Sequence, residues 1–346
     1  MARHHTSRDR NRNIIYIVVG LVAVVVIIGL IFGISPFGAD ESDIPSDSND
    51  VGLAAVDSPK EADSDISAVI EIEKPGPNIP PVVVDPHEDV RSAAPTADMI
   101  AEATALLSGN PSRIIEGRDK LNAVLKMPVS PEQSSSVKAQ LSKLSEQWLF
   151  SKTFYAQDKL CGSYEVQSGD YLSTIAEKHN IPYELLMEIN NISRPESLRA
   201  GERIKVVNGP FHAKVYRSTY KMDIYLQGTY VKTFPVGLGA SGRQTPLGLW
   251  HIKAGGKIPH AIYTDPDSGA VIHPEDPAYP LGSRWMDLEG LDDNTRDKKG
   301  FGIHGTKEPE SIGKASSRGC IRLHNGDAIA VYNMLVPVKS LVKILE

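Results

Sequence analysis

Hydrophobic residues follow three different patterns along the chain. Residues 14–34 form one uncharged apolar run, IIYIVVGLVAVVVIIGLIFGI, close to the roughly 20 residues that a membrane-spanning helix needs. Residues 35–95 are rich in Asp, Glu, Ser and Pro and have no sustained apolar period, which predicts a disordered linker. Further along, apolar positions recur first at helical spacing and then in alternation, so we expect helices followed by strands.

Charges on either side of the apolar run predict its orientation. Arginines precede the run and carboxylates follow it: Arg3, Arg8, Arg10 and Arg12, then Asp40, Glu41 and Asp43. The positive-inside bias places residues 1–13 in the cytoplasm and the remainder of the chain outside. A cleaved signal peptide is the alternative, but its apolar region usually has only about 7–15 residues. We therefore expect residues 14–34 to be an uncleaved, single-pass anchor in the cell membrane.

Residues 96–160 carry three groups of apolar residues at helical spacing. Gly109-Asn110-Pro111 and the prolines at 128 and 131 separate the groups, because glycine and proline interrupt helices. The pattern predicts a small all-α segment, loosely similar to a tetratricopeptide hairpin. Nothing in it suggests chemistry, so we expect a scaffold or spacer.

Residues 163–207 change pattern twice within a short length. Tyr164 and Val166 alternate as in a strand, and Asp170 is placed to cap a following helix. Pro182 is suited to the first position of a second helix, which Asn190 and the next residue end. A closing strand follows, so the predicted order is strand, helix, helix, strand.

Residues 211–346 alternate between apolar and polar positions in short segments. HAKVYRS, KMDIYLQ, TYVKTFPVG and LWHIKA contain β-branched or aromatic residues and are separated by turn residues, which is typical of strands. Only Gly326–Leu335 has a helical pattern. We therefore expect residues 211–346 to form a mainly-β domain. For the whole chain, we expect a multi-domain protein with a single N-terminal transmembrane helix, a small all-α segment, the strand–helix–helix–strand module and this domain.

Composition excludes some classes of function. The net charge of −6 gives no basic face for nucleic acid, so no nucleic-acid partner is expected. The chain has two cysteines and no CxxC pair, which is too little for a disulfide framework or a typical zinc site. No cofactor and no metal are predicted.

One cysteine, Cys320, lies in the sequence SSRGCIR, sixteen residues after His304. A thiol of ordinary pKa needs an adjacent base or cation to become a good nucleophile, and His304 can supply the base. Arg318 and Arg322 can stabilise a thiolate. Gly319 allows a turn that directs backbone amides towards an oxyanion.

Three other interpretations of Cys320 remain open at this level. A lone cysteine is often a small buried hydrophobe. A disulfide with Cys161 is possible outside the cytoplasm, and zinc could be held by Cys320, His304 and His324. Sequence spacing does not establish spacing in the fold.

Residues 163–207 resemble the LysM module over its full length. The resemblance implies a βααβ fold that binds N-acetylglucosamine-containing glycan, which for a bacterium is peptidoglycan. It also implies a groove beside the turn at Gly169, Asp170 and Leu172 and the loop that begins at Asn190 and Asn191. The match rests on an ordered set: Tyr164, Val166, Gly169, Asp170, Leu172, Ile175, Ala176, Leu186, Asn190, Leu198, Gly201 and Ile204.

Residues 211–346 resemble the L,D-transpeptidase (YkuD-like) catalytic domain. The matching blocks are TPLG, PLGSRWMDL, GIHGT, SSRGCIRL and the ending VPVKSLVKIL. The resemblance implies Cys320 as nucleophile, His304 as general base and Gly305 as the residue whose backbone orients the histidine. The resemblance also implies that Ser317 and Arg322 support the active site. It implies that the substrate is bound by Arg318, Gly319 and Trp285. Many members carry a second histidine where this chain has Arg318.

The two resemblances together imply an extracytoplasmic enzyme of peptidoglycan biosynthesis, facing the periplasm or cell wall. Its cysteine would attack the third residue of a stem tetrapeptide, release the terminal D-alanine, and pass the acyl group to an amine of a neighbouring stem. The product would be a 3–3 cross-link. Water as acceptor would make it an L,D-carboxypeptidase, and a protein lysine would make it a protein-anchoring enzyme. A non-enzymatic LysM wall tether and a zinc-stabilised structural domain are the alternatives from other classes.

Overall fold

The structure is a computed structural model that describes residues 88–346, with side chains described from residue 95. The apolar run at residues 14–34 and most of the predicted linker lie outside the described residues. Within the described part, no helix combines the length and the apolar character that a membrane crossing requires.

Three helices open the described chain: α1 (Glu88–Ser108), α2 (Ile114–Val124) and α3 (Pro131–Trp148). The predicted disordered linker, which ended at residue 95, therefore extends too far, because α1 already begins at Glu88 and contains Pro95. A proline inside a helix removes one backbone hydrogen bond, and this 21-residue helix nevertheless continues through Pro95. Helix α3 starts at a capping box, in which Ser130 and Gln133 each accept a hydrogen bond from the other's backbone amide.

The LysM-like segment has the predicted order of elements. These are β1 (Cys161–Glu165), α4 (Leu172–Lys178), α5 (Tyr183–Asn190) and β2 (Arg203–Val207), with β1 and β2 paired antiparallel. Asp170 does not cap α4 as expected; its carboxylate instead accepts hydrogen bonds from the Tyr164 hydroxyl and the Gln167 amide, both at 2.8 Å. It therefore fixes the turn before the helix.

Two residues expected to contact glycan are structural in this module. Leu172 is buried in the core. Asn190 is also buried, and its amide group bonds both backbone groups of Lys205, at 2.8 Å in each case. Because neither side chain reaches the surface, a direct role in glycan contact is left to the more accessible Gly169, Asp170 and Asn191.

A buried lysine joins the helical segment to the LysM-like segment. The Lys205 side chain reaches from β2 to the backbone carbonyls of Trp148, Ser151 and Thr153, at 2.5, 2.9 and 2.7 Å. These carbonyls lie at and just beyond the end of α3, where helical carbonyls lack intrahelical partners. Burial lowers the pKa of Lys205, while the three carbonyls satisfy the donors of its ammonium group. The expected spacer is thus packed against the module that follows it.

The C-terminal domain is built on a mixed eight-stranded sheet. From one edge to the middle, its strands are β5 (Thr229–Pro235), β4 (Lys221–Leu226), β3 (Phe211–Tyr216), β14 (Leu341–Leu345) and β7 (Gly248–Pro259). The other edge holds β10 (Arg284–Gly290), β11 (Gly302–His304) and β13 (Ile321–Arg322), so the strand order is β13-β11-β10-β7-β14-β3-β4-β5. Short strands β6 (Leu238–Gly239), β8 (Tyr263–Thr264), β9 (Val271–Ile272) and β12 (Ala315–Ser317) lie outside this sheet, and α6 is Asn325–Met334. A mainly-β domain is therefore confirmed.

Helices α2 and α3 cover the opposite edge of the sheet. The Tyr230 amide of β5 donates to the Asn122 side chain at 2.7 Å. Lys138 of α3 pairs at 2.6 Å with Asp223 of β4, whose carboxylate is buried. These contacts satisfy an edge that would otherwise expose backbone groups, and they leave the β10-β11-β13 edge on the far side of the sheet.

Candidate active site

Strand pairing places His304 and Cys320 at neighbouring strands of the sheet. Strands β11 and β13 are parallel, with Ile303 opposite Ile321 and His304 opposite Arg322. Cys320 immediately precedes β13, so it lies beside Gly302 in the same register. Because side chains alternate along strands, His304 and Cys320 project from the same face of neighbouring strands. The fifteen residues between them, 305–319, connect these strands and include the short strand β12.

The backbone around His304 defines its tautomer. The ring is buried, and its Nδ1 lies 2.5 Å from the Gly305 carbonyl oxygen. A carbonyl can only accept, so Nδ1 carries the proton and Nε2 is left as the basic nitrogen. Trp285, opposite His304 on β10, stacks on the imidazole with centroids 5.6 Å apart and planes 29° apart. The carbonyl and the indole together fix the ring plane.

The Cys320 thiol is free and half-buried. Its Sγ lies 3.6 Å from the Gly300 carbonyl oxygen. Burial, with a smaller contribution from Asp287, raises the pKa of Cys320 to about 11, although the Gly302 amide and the Arg322 guanidinium favour the thiolate. The resting thiol is therefore protonated at neutral pH.

His304 is also neutral at rest. Burial and, to a smaller extent, the nearby Arg322 guanidinium lower its pKa to about 4, against hydrogen bonds to the Gly305 and Leu281 backbones. The raised pKa of the Cys320 thiol and the lowered pKa of the His304 imidazole both favour the neutral form of the group. Of the two resting states available to such a pair, they favour thiol with imidazole over thiolate with imidazolium.

Ser317 braces the turn that carries the cysteine. Its buried hydroxyl donates to the Cys320 carbonyl oxygen at 2.7 Å and accepts from the Gly319 amide at 3.1 Å. The expectation that the Gly319 amide faces an oxyanion is therefore wrong, since Ser317 already occupies that donor. The side chain acts on the shape of the turn.

The two arginines beside the cysteine are both paired with carboxylates. Arg318 is exposed and bonds Asp265 at 2.6 Å and Asp267 at 2.9 Å, in the hairpin of β8 and β9. Because these two carboxylates neutralise its charge, Arg318 is less available to bind substrate or to stabilise a thiolate than the sequence predicts. Arg322 bonds Glu308 at 2.8 Å and is largely buried.

Asn325 is a positioning residue that the residue pattern did not reveal. Its side chain accepts from the Ser283 amide at 3.2 Å and donates to the Thr306 carbonyl at 3.1 Å. A Cβ on Gly305 would clash with the Asn325 side-chain oxygen, so the loop after His304 closes directly on this amide. The one signal in the sequence is that this asparagine directly precedes the predicted helix Gly326–Leu335.

Gly319 has a conformation that a larger residue disfavours. Its φ is +116°, and a Cβ would lie 2.7 Å from the Phe301 ring. Gly319→Ala is expected to lose about 1–3 kcal/mol from backbone strain and more from the clash, and to change the alkylation rate of Cys320. The measurements are the urea unfolding midpoint and iodoacetamide labelling.

Gly313→Ala is the matched control for this change. Gly313 also has a positive φ, +80°, but a Cβ at this position would meet nothing within 4 Å. It should lose stability from strain alone and keep the wild-type alkylation rate. Equal effects of the two substitutions on Cys320 would contradict a specific role for the turn.

Neither the Cys161–Cys320 disulfide nor the zinc site considered for Cys320 is found in the described part of the chain. Cys161 is buried on β1, Cys320 lies at the edge of the sheet, and both are free. Burial raises the pKa of Cys161 to about 12, so this thiol is inert near neutral pH. Among the described residues, no group of three potential metal ligands occurs.

Comparison with known proteins identifies both C-terminal segments. Residues 210–344 match the model of the L,D-transpeptidase catalytic domain, and residues 164–207 match the LysM domain. A protein of Bacillus subtilis (strain 168) named as the L,D-transpeptidase YkuD is 31% identical over 180 residues, which are 50% of this chain and 93% of that relative. Its namesake from Bacillus licheniformis is 30% identical over 179 residues, covering 50% and 92%.

Solved structures include an L,D-transpeptidase from Mycobacterium smegmatis. It is 20% identical, with a TM-score of 0.32, and the match covers 42% of this chain and 64% of that one. Nothing further is concluded from a likeness at this level. The sequence relatives suffice: the chain belongs to the YkuD family of L,D-transpeptidases and carries a LysM domain before its catalytic domain.

Proposed function

We propose that this protein is a membrane-anchored transpeptidase that forms 3–3 cross-links in peptidoglycan through a thioacyl intermediate on Cys320. The observation that carries the proposal is the placement of Cys320 and His304 on one face of neighbouring strands, with the Nδ1 of the imidazole bonded to Gly305. That arrangement supports a nucleophile with an adjacent base. Membership of the family supports peptidoglycan as the substrate.

Acylation uses the neutral thiol and the neutral imidazole. As Sγ attacks the carbonyl carbon of the third residue of a stem tetrapeptide, His304 Nε2 takes the thiol proton. The tetrahedral intermediate then collapses, the C–N bond to the terminal D-alanine breaks, and the imidazolium returns its proton to the leaving amine. The products are a thioester on Cys320 and free D-alanine.

The tetrahedral intermediate needs a donor for its oxyanion. The Gly319 amide is occupied by Ser317, so we propose the Cys320 amide as the donor on this turn. Arg322 adds positive potential nearby, since it lowers the pKa of both Cys320 and His304. Its contact with Glu308 holds it in place.

The acceptor determines the product. An amine of a neighbouring stem attacks the thioester, loses its proton to His304, and expels the Cys320 thiolate, which is then reprotonated. The new amide is the 3–3 cross-link. Water in the same position would give L,D-carboxypeptidase activity, and a protein lysine would attach a protein. Thioesters react readily with amines, which favours the cross-link.

The remaining segments deliver the catalytic domain to the wall. We propose that the LysM domain binds glycan beside the Gly169–Asp170 turn and Asn191, all of which reach the surface. Tyr171, 70% exposed in the same turn, offers a flat apolar surface for a sugar ring. We also propose that residues 14–34 anchor the protein in the cell membrane, with residues 35 onwards outside the cytoplasm; the apolar run and its flanking charges support this.

The experiment is a product analysis with soluble protein that starts at residue 88. Disaccharide-tetrapeptide muropeptides are incubated with it, and products are resolved by mass. The proposal predicts a dimer smaller than two substrates by one D-alanine, with the new bond between third residues. Tripeptide monomer alone would favour the carboxypeptidase. Binding to peptidoglycan without any product would favour a non-enzymatic tether.

A further inference from the structure

A carboxylate that the proposed mechanism does not use lies on the same face of the sheet as the thiol and the imidazole. Asp287 follows Trp285 by two positions on β10, so the two side chains share a face. Its partner on β11 is Gly302, and Cys320 lies on the other side of Gly302. Cys320, Gly302 and Asp287 thus form one row across neighbouring strands, with about 10 Å between the outer backbones at the usual strand spacing.

Asp287 has a glycine, Gly302, as its partner on β11, and it faces another glycine of β7 where the register of the β7–β10 pair shifts. A Cβ on Gly302 would lie 2.5 Å from the Trp285 ring, so this ring covers the glycine. A Cβ on Gly256, in β7, would lie 2.9 Å from the Asp287 Cβ. Because Gly302 and Gly256 have no side chains, neither residue covers the Asp287 carboxylate. The Trp285 indole forms an apolar wall beside it.

The Asp287 carboxylate has little compensation for its burial. Its side chain is 30% exposed and forms one long ion pair, at 3.9 Å, with the exposed Lys253. Burial raises the pKa of Asp287; Lys253 and the Leu288 amide oppose the shift, and Glu289 adds to it. A half-buried carboxylate with one distant partner is stabilised by any cation that approaches it.

We propose that Asp287, beside the Trp285 ring, recognises an ammonium group of the substrate peptide; this rests on the proposed transpeptidase function. A carboxylate with an adjacent indole suits a cation, because both attract positive charge. The ammonium has two possible sources in a stem peptide. One is a side-chain amine on the third residue of the donor, and the other is the amine of the acceptor.

The first test compares Asp287→Asn with Glu289→Gln, a matched control on the same strand that pairs with His251 at the surface. Donor stems carry a third-residue amine that is either free or acetylated. D-Alanine release reports acylation, and capture of preformed thioacyl enzyme by an amine acceptor reports the second step. Asp287→Asn should lower kcat/KM about tenfold for the step whose substrate carries the ammonium. Glu289→Gln removes a neighbouring charge without the proposed contact, so its effect on either step should be much smaller.

The affected step identifies the source. Loss confined to the free-amine donor in D-alanine release assigns the ammonium to the donor, and loss confined to capture assigns it to the acceptor. An equal loss with free and acetylated donors, together with unchanged capture, would overturn the proposal because it indicates a structural role. No loss in either step would overturn it as well.

A second test does not depend on turnover. Cys320 is modified with 2-aminoethyl methanethiosulfonate, which carries an ammonium, and with neutral methyl methanethiosulfonate at the same pH. Both rates depend on the ionised fraction of the same thiol, so a change in the pKa of Cys320 alters both rates equally and leaves their ratio unchanged. The ratio should fall about tenfold in Asp287→Asn and change much less in Glu289→Gln. An unchanged ratio would overturn the proposal, whereas a changed ratio in a protein that processes no stem would overturn only the transpeptidase function.

Discussion

Cys320→Ala is expected to release no D-alanine from a stem tetrapeptide while the protein keeps its fold. The thiol is the only group on this face of the sheet that we assign to covalent attack. Its side chain is half-buried at the edge of the sheet, so its truncation should cost at most about 1 kcal/mol of unfolding free energy. The measurement is D-alanine release, with urea unfolding on the same sample.

Cys161→Ala is the control for this prediction. Cys161 is buried on β1 of the LysM domain, with its Sγ 3.9 Å from the Trp148 carbonyl. Its loss should lower stability slightly and leave D-alanine release per folded molecule unchanged. Turnover by Cys320→Ala at the wild-type rate would remove the nucleophile assignment.

His304→Ala is expected to slow acylation by about 10²–10⁴-fold, the usual contribution of a general base. Burial lowers the pKa of His304 to about 4 and raises that of Cys320 to about 11. In the wild type, the imidazole must lose a proton before it can act, so acylation should rise with pH through an apparent pKa near 4 and then level. Without the imidazole, the rate should rise tenfold per pH unit across the neutral range, as the thiol ionises.

The pH dependence separates a base from a structural histidine. Alkylation of Cys320 by iodoacetamide is followed from pH 5 to 9 in wild type, His304→Ala and His324→Ala. The last variant removes a histidine that the zinc alternative requires and that the proposed mechanism does not use. We expect His324→Ala to follow the wild type. Identical profiles for wild type and His304→Ala would mean that the two side chains do not couple.

The sequence predicts the modules because their patterns are local. Alternation in residues 211–235 and the turn residues between its segments predict three strands, and the structure has β3, β4 and β5 there. The strand–helix–helix–strand order of the LysM domain follows from residues close together in the chain. The extent of the linker was wrong, because Pro95 suggested a boundary but lies inside α1.

Roles that depend on distant segments could not be predicted. Asn190 looks like an exposed helix end, but β2 closes over it and uses its amide group. Lys205 becomes a buried link only because the end of α3, more than fifty residues earlier, supplies three carbonyls. The Gly319 amide is occupied by a hydroxyl two residues away, which the residue types alone do not reveal.

The proposed catalytic pair, Cys320 and His304, could be predicted only in part. Residue chemistry identifies a thiol that can act as a nucleophile and an imidazole that can act as a base, but the two lie sixteen positions apart in the sequence. Only the parallel pairing of β11 with β13 places them on one face. Asp287 was overlooked for the same reason, since its relation to Cys320 exists only through the pairing of β10 with β11.

Intact-protein mass spectrometry tests the central claim most directly. The protein is mixed with a stem tetrapeptide whose amines are blocked, so that no amine acceptor is present, and is quenched in acid within seconds. The account predicts an adduct equal to the stem minus D-alanine, located on the peptide that contains Cys320 and removed by hydroxylamine. Release of D-alanine without any adduct on Cys320, or an adduct on another residue, would contradict it.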